Sequence, residues 1–277
     1  MKKVLAIFSL ILSIVIAFCG ILSVVTLHNN ASFSPEYEMV DLKPILLKKT
    51  FSDDDYKTLF YQTGLGKCAI DTIKDSEDFL ETVEKYQRNF FKKSSYICSR
   101  DALTTSMEYN VTDSGVLTEG FEIFPVKAGY VLLMESSHSL GWRHGHAGIA
   151  VGNDYVLEAP IIGEPSMEYH LSTWAYYPSF IMLRLKNTSD EELKKIAKDA
   201  ERYLNGIVYN PFAGIFNKSQ GKKPKTVQCA YLVWYAFYNH NIDIDSDGGN
   251  LVTVEDIKNS DLFEIVQIYG YNPADFQ

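Results

Sequence analysis

"WRHGHAGIAVGNDYVLEA", Trp142–Ala159, is the stretch from which the rest of the chain can be read. Two of only six histidines, His144 and His146, stand one residue apart at the mouth of an apolar run. A lone carboxylate, Glu158, ends the next run between Leu157 and Ala159. The runs "HAGIAVG" and "DYVLEA" are short and bounded by Gly and Asn-Asp, so Asn153 and Asp154 read as a tight hairpin turn. Folding one strand back on the other makes the His146 and Glu158 ends neighbours across the ladder. A carboxylate in such apolar company is costly without a partner, so Glu158 is expected to accept a hydrogen bond.

The same period continues on both sides. "GYVLLME" from Gly129 and "FIMLRL" from Phe180 supply further apolar runs, and the four together predict an antiparallel sheet. "TSDEELKKIAKDAERYLNG", from Thr188, predicts an amphipathic helix. A capping box joins Ser189 to Glu192, Leu193, Ile196, Ala197, Ala200 and Leu204 form the apolar face, and Asn205-Gly206 is the stop. "QCAYLVWYAFYNH" is apolar almost all round and reads as a buried helix starting near Cys229, with "LFEIVQIYG" as a last strand. Upstream, Leu80, Val83 and Tyr86 to Phe90 form a helical stripe, interrupted earlier at Gly64 and Gly66, and residues 96–126 are irregular and β-prone. The chain therefore divides into residues 1–30, a linker over 31–54, a helical lead-in over 55–125 and a catalytic-sized α+β domain over 126–277.

Residues 1–30 carry the topological signal. After "MKK" an uncharged run from Val4 to Leu27 would span about 36 Å as a helix, more than the hydrocarbon core of a bilayer. It is longer than the apolar region of a cleaved signal peptide and no A-x-A site follows, which favours a retained anchor. With Lys2 and Lys3 inside, everything after about residue 30 is expected outside the cytoplasm, on a single-pass protein, or secreted if the segment is cleaved. Cys19 follows Phe18, where a lipoprotein cleavage site needs a small residue. The net charge of −9, with Lys and Arg scattered or interleaved with acids, argues against nucleic acid as a partner. Hydrophobic residues at 46% are those of a folded chain.

Cysteine usage narrows the chemistry. Cys68 and Cys98 form a disulfide in an oxidising compartment or remain two separate buried thiols; spacing does not choose. Cys229 stands alone at the expected start of a buried helix, where free backbone N–H groups and the helix dipole favour a thiolate. The Cys229 N–H is also a donor for an oxyanion on an attacked carbonyl. A nucleophilic thiol needs an imidazole to take its proton and a third group to orient that imidazole, roles open to His146 and Glu158.

"HGHAGIAVG", "VLEA" and "QCAYLVWYAFY", in that order, resemble the His, acid and Cys motifs of the circularly permuted papain-like amidases, the YiiX-like relatives of the NlpC-type cysteine peptidases. The resemblance runs from about Gly64 to the C-terminus and includes "TGLGK", "GWRHGHAGI", Trp174 and "IDIDSDGG". It implies a permuted papain-like fold with Cys229 as nucleophile, His146 as general base and acid, and Glu158 as the orienting residue. It implies no cofactor and no metal, and a cell-envelope peptide or lipid as substrate. Tyr209, upstream of the nucleophile where the family carries a Tyr, becomes an oxyanion candidate, and His144 and Trp142 become pocket candidates. Two positions depart from the family, Ala230 where many relatives have Ser and Tyr130 where the family often has Asp.

Other readings compete. The same three residues would serve a lipid hydrolase or acyltransferase. His144, His146, Glu158 and Cys229 would make a metal site. A catalytically silent envelope-binding module would keep the fold without the chemistry. Asp243, Asp245, Asp247 and Gly248 begin like a calcium loop, but the twelfth position is Val254, with Glu255 one residue late, so an Asp and Gly-rich turn is favoured, with a calcium site of another type as the alternative.

Overall fold

The computed structural model describes residues 2–28, 32–93, 95–100, 105–139 and 142–276. Residues 29–31, at the expected boundary between anchor and linker, and Gly141 of the "GWRHGHAGI" stretch lie outside them. The chain is mixed α and β with antiparallel sheets. Helix α1 (Lys2–His28) is long and apolar enough to cross a membrane by length and composition, and its apolar side chains from Val4 to Ile21 are exposed.

Three helices follow the short α2 (Lys43–Leu46): α3 (Asp53–Thr63), α4 (Lys67–Ile73) and α5 (Phe79–Phe90). Ser52 caps α3 through a capping box with Asp55, and Gly64 ends it at φ 70°. The linker expected over 31–54 is docked from Ser32 onward. Phe33 N donates to Gly270 O at 2.8 Å, Ser32 Oγ to Pro178 O, and Leu42 and Leu46 are buried.

The central sheet has six strands in the order β10-β9-β3-β6-β7-β8, formed by β3 (Val131–Met134), β6 (His146–Ala150), β7 (Tyr155–Glu158), β8 (Met167–His170), β9 (Phe180–Leu185) and β10 (Phe263–Tyr269). All the neighbours pair antiparallel; the apolar runs predict five of the six strands, and β8, with no strand on its far side, is added to them. The turn between β6 and β7 is wider than expected. Val151 donates to Tyr155 O, so residues 151–154 rather than Asn153 and Asp154 alone make the bend. Helix α6 (Asp190–Leu204) starts at the Ser189–Glu192 capping box and buries the expected Leu193, Ile196, Ala197, Ala200 and Leu204. Helix α7 (Cys229–Tyr238) is buried from Cys229 to Phe237 and packs on β6, β7 and α6. The small α8 (Val254–Lys258) packs on α7 and β3.

A second sheet has the order β1-β2-β4-β5, from β1 (Ser95–Arg100), β2 (Thr105–Val111), β4 (Ser137–Ser139) and β5 (Trp142–Arg143). The lead-in over 55–125 is therefore not all helical: it holds β1 and β2, and β2 pairs with β4 beyond residue 126. Its helical part also closes onto the other end of the chain. Gly66 N donates to Val266 O and Ile268 N to Gly64 O, each about 2.8–2.9 Å, and a Cβ on either glycine would lie within 2.3 Å of a β10 carbonyl oxygen. Those two positions need glycine for this close approach.

Cys68 and Cys98 are not bonded to each other. Cys68 Sγ donates to Ile265 O beside the central sheet, and burial pushes its thiol up to about 12. Cys98 sits 3.4 Å from His138 Nε2 in the second sheet. The disulfide alternative fails because the two residues belong to different layers.

Candidate active site

Register places the carboxylate. Gly148 on β6 pairs with Glu158 on β7, and His146 lies two residues before Gly148, so His146 and Glu158 are diagonal neighbours on one face of the sheet. His146 Nε2 and Glu158 Oε2 are 2.6 Å apart, and both side chains are about 6% exposed. The carboxylate has a second donor, Trp174 Nε1, 3.0 Å from Oε1. Trp174 is fully buried in the 3₁₀ turn Leu171–Tyr176, and its ring stacks on His146 with centroids 5.5 Å apart and planes 21° apart. Room for this indole comes from Gly148, where a Cβ would meet Trp174 Cζ2 at 3.2 Å and Val156 Cγ1 at 2.5 Å.

Glu158 accepts only, so His146 Nε2 carries a proton and Nδ1 is left to face the other way. On that side is Cys229. Burial disfavours a charged His146, but its hydrogen bonds to Cys229 and Glu158 outweigh it and raise the imidazole to about 10. Cys229 is the first residue of α7, so its N–H has no acceptor within the helix. Gln228, just before it, caps the helix by accepting from Ala230 N at 2.8 Å, and its amide donates to Val252 O at 2.6 Å. This glutamine fixes where the thiol stands. It is not among the strong capping residues, so propensity gives no sign of it in the sequence.

Tyr209 bridges to Val227, one residue before Gln228, and so reaches the site from the strand side. Burial, then the nearby Cys229, hold its phenol well above the ordinary value. Cys229, His146, Glu158 and Tyr209 thus come together. His144 and Trp142 do not join them. Strand alternation would put His144 on the face of His146, but Gly145 between them has φ 68°, which breaks the strand and turns His144 away. Its Nε2 lies 3.0 Å from Ser139 Oγ and Nδ1 lies 2.8 Å from the Gly145 carbonyl. Burial, with His146 nearby, lowers its affinity for a proton. Trp142 is 60% exposed on β5, edge-on to the His144 ring.

The turn that delivers His146 is braced from the second sheet. Arg143 holds Glu108 through both nitrogens, at 3.0 and 2.8 Å, and donates to Glu135 O at 2.8 Å. Glu108 is 1% exposed, so this is a buried two-pronged pair.

His144, His146, Glu158 and Cys229 do not converge as a metal site. Both His144 nitrogens are taken within its own turn, and His146 Nε2 faces Glu158. Among the described residues the one group with three such ligand atoms within 4.8 Å of one another is Asp245, Asp247 and Asp256. There the acids bond their own loop. Asp243 Oδ1 accepts from Trp234 Nε1 and Asp245 N, Asp247 Oδ1 accepts from Gly249 N, Asp245 pairs with Lys218, and Asp256 closes the Thr253 capping box.

No protein-family model matches the chain, and no curated protein does. Among solved structures it is similar to one described as "metalloprotein yiiX from Escherichia coli O157:H7, DUF1105", at 16% identity and a TM-score of 0.40. The match covers 50% of this chain and 96% of that one.

Proposed function

We propose that this chain is a membrane-anchored cysteine hydrolase of permuted papain-like type that cleaves an amide through an acyl-enzyme, with its domain outside the cytoplasm. The observation that carries the reading is His146 held between Glu158, at 2.6 Å, and the Cys229 thiol at the N-terminus of α7. His146 Nδ1 takes the thiol proton while Glu158 accepts from Nε2–H and stabilises the imidazolium. The thiolate attacks the carbonyl carbon, and the oxygen that becomes negative lies against the Cys229 N–H, with the Tyr209 hydroxyl beside it. The tetrahedral adduct collapses, His146 returns the proton to the departing amine, and a thioester to Cys229 remains. Water, deprotonated by His146, then releases the acid and restores the thiol. The order His, Glu, Cys along the chain supports the permuted reading, and a stem peptide of the cell wall is the substrate that an anchored amidase of this kind would meet.

The test is the rate of iodoacetamide alkylation at Cys229 against pH, in wild type and in His146→Ala. A rate near neutrality that the variant loses supports the paired thiol. Equal profiles for the two proteins reject it, and a folded, fully active Cys229→Ala rejects the hydrolase outright.

A second reading, cleavage or transfer of a fatty acyl group by the same residues, is favoured by exposed apolar side chains beside the site. Ile161 and Ile162 come three and four residues after Glu158, and Phe212 three residues after Tyr209. Acyl thioesters of rising chain length, compared with peptide amides, decide between the two.

A further inference from the structure

The segment that leaves Tyr209 and returns to Val227 differs in charge from the rest of the chain. Residues 210–226 hold Lys218, Lys222, Lys223 and Lys225 and no Asp or Glu, in a protein with 35 acidic and 26 basic residues. The sequence-wide charge balance hides this cluster. Lys218 is neutralised by Asp245. Lys222, Lys223 and Lys225 are exposed, and among the described residues none has an ion pair.

The segment is fixed rather than free-hanging. Its two ends are joined where Asn210 N donates to Val227 O at 2.7 Å and Val227 N to Val208 O at 3.1 Å. Between them it runs along one side of α7. Gly214 packs on the Tyr231 ring, Tyr231 Oη donates to Lys218 O, Gln220 N to Tyr235 Oη, and Asn239 Nδ2 to Lys222 O. Those α7 partners, at 231, 235 and 239, recur every four residues and share a helix face. So anchored, the segment presents two large apolar side chains to solvent, Phe212 at 66% and Phe216 at 97% exposure. Exposed rings and lysines without an ion pair on one braced strip, in a chain with a helix able to span a membrane, match what an anionic bilayer surface binds: rings at the acyl boundary and ammonium groups on headgroup phosphates.

We infer that residues 210–226 dock the domain on an anionic lipid surface, with Phe212 and Phe216 inserted and Lys222, Lys223 and Lys225 on lipid phosphates. The docking turns one side of α7 toward the bilayer along its length, because the strip is held at Tyr231, Tyr235 and Asn239. It does not depend on catalysis by Cys229.

The test uses the full chain reconstituted in phosphatidylcholine vesicles with and without phosphatidylglycerol. Phe216→Trp adds an indole at a fully exposed position, and its fluorescence is taken as the difference from wild type. With phosphatidylglycerol present, lipids brominated in the acyl chain should quench the added indole, and aqueous acrylamide should reach it poorly. The triple variant Lys222→Glu, Lys223→Glu, Lys225→Glu should reverse both effects, each lysine being worth about fivefold in the docking equilibrium. Rising salt should act in the same direction. An indole open to acrylamide and untouched by bromolipid in every vesicle overturns the inference. An indole shielded from both does so too, since a second copy or another protein then covers the strip. A full chain that fails to float with vesicles also overturns it. Alkylation of Cys229, followed in the same samples, reports separately on the catalytic reading.

Discussion

Replacing Glu158 by Gln changes one oxygen for an NH2 and nothing in size, yet the site cannot absorb it. The carboxylate accepts from two donors, His146 Nε2–H at 2.6 Å and Trp174 Nε1–H at 3.0 Å. A glutamine has one oxygen for two donors and aims its own N–H groups at the other. One buried donor is then unpaired, at about 1–3 kcal/mol, or His146 takes its other tautomer, with Nε2 as acceptor and the proton on Nδ1. That second outcome removes the base, because Nδ1 is the nitrogen that faces Cys229. Without the buried negative charge the imidazolium also loses about 1–2 kcal/mol, the gap between a charge-assisted and a neutral hydrogen bond, which is about one pKa unit. The expected result for Glu158→Gln is a fall of about tenfold or more in iodoacetamide alkylation of Cys229 at neutral pH, and of about 10²- to 10⁴-fold in turnover once a substrate is in hand. The assay is the alkylation rate from pH 5 to 11, by intact mass, with circular dichroism confirming the fold. The same pH–rate profile in wild type and variant would refute the reasoning, since the carboxylate would then have no hold on the imidazole.

Gly148→Ala should push Trp174 off Glu158, lowering stability by about 1–3 kcal/mol in chemical denaturation and slowing alkylation together. Glu108→Ala, which takes the carboxylate from the half-buried Arg143 guanidinium and leaves it the Glu135 carbonyl, should cost about 1–3 kcal/mol in the same measurement, more than any exposed ion pair here. Because His146 is raised in the folded state, its charged form stabilises the fold. The stability gap between wild type and His146→Gln should therefore be full below the unfolded value of about 6.5 and shrink as pH climbs through about 10, which urea titrations at stepped pH would show. All four cysteines should react with a disulfide reagent in denatured, unreduced protein; a count of two would restore the Cys68–Cys98 bridge.

Five strands of the central sheet could be read in the sequence as short apolar runs, α6 from its period and its capping box, and α7 from its unbroken apolar run; β8, exposed or half-buried, could not. The pairing of His146 with Glu158 was legible for the same reason: once the two runs fold together, register follows from alternation. The second sheet was not. Its strands, such as "SYICSR" and "TSMEYNV", mix polar and apolar residues on both faces because they bury a charged pair, Glu108 with Arg143. His144 was misplaced by a single glycine. Alternation assumes extended backbone, and Gly145 at φ 68° removes that assumption at one residue. Trp174 could be suspected as a wall or as core, but not as the donor to Glu158, since the 3₁₀ turn that swings it over Gly148 follows from packing. Gln228 acts through a side-chain cap that most sequences assign to shorter residues.

The docked segment after the anchor decides how far the domain can reach. A free linker over residues 31–54 would let it wander by roughly 5–6 Å times the square root of its length, about 27 Å, and sample targets over a wide range of heights. Here Ser32 and Phe33 are already bonded to Pro178 and Gly270, so three residues, 29–31, are all that separate the end of α1 from the body of the domain. Even fully extended they span about 10 Å. With α1 across a membrane, as proposed, Cys229 would be confined to a thin layer parallel to it. On the proposed reading, targets would be selected by altitude as well as by chemistry, and lengthening the tether would widen the range without touching the site.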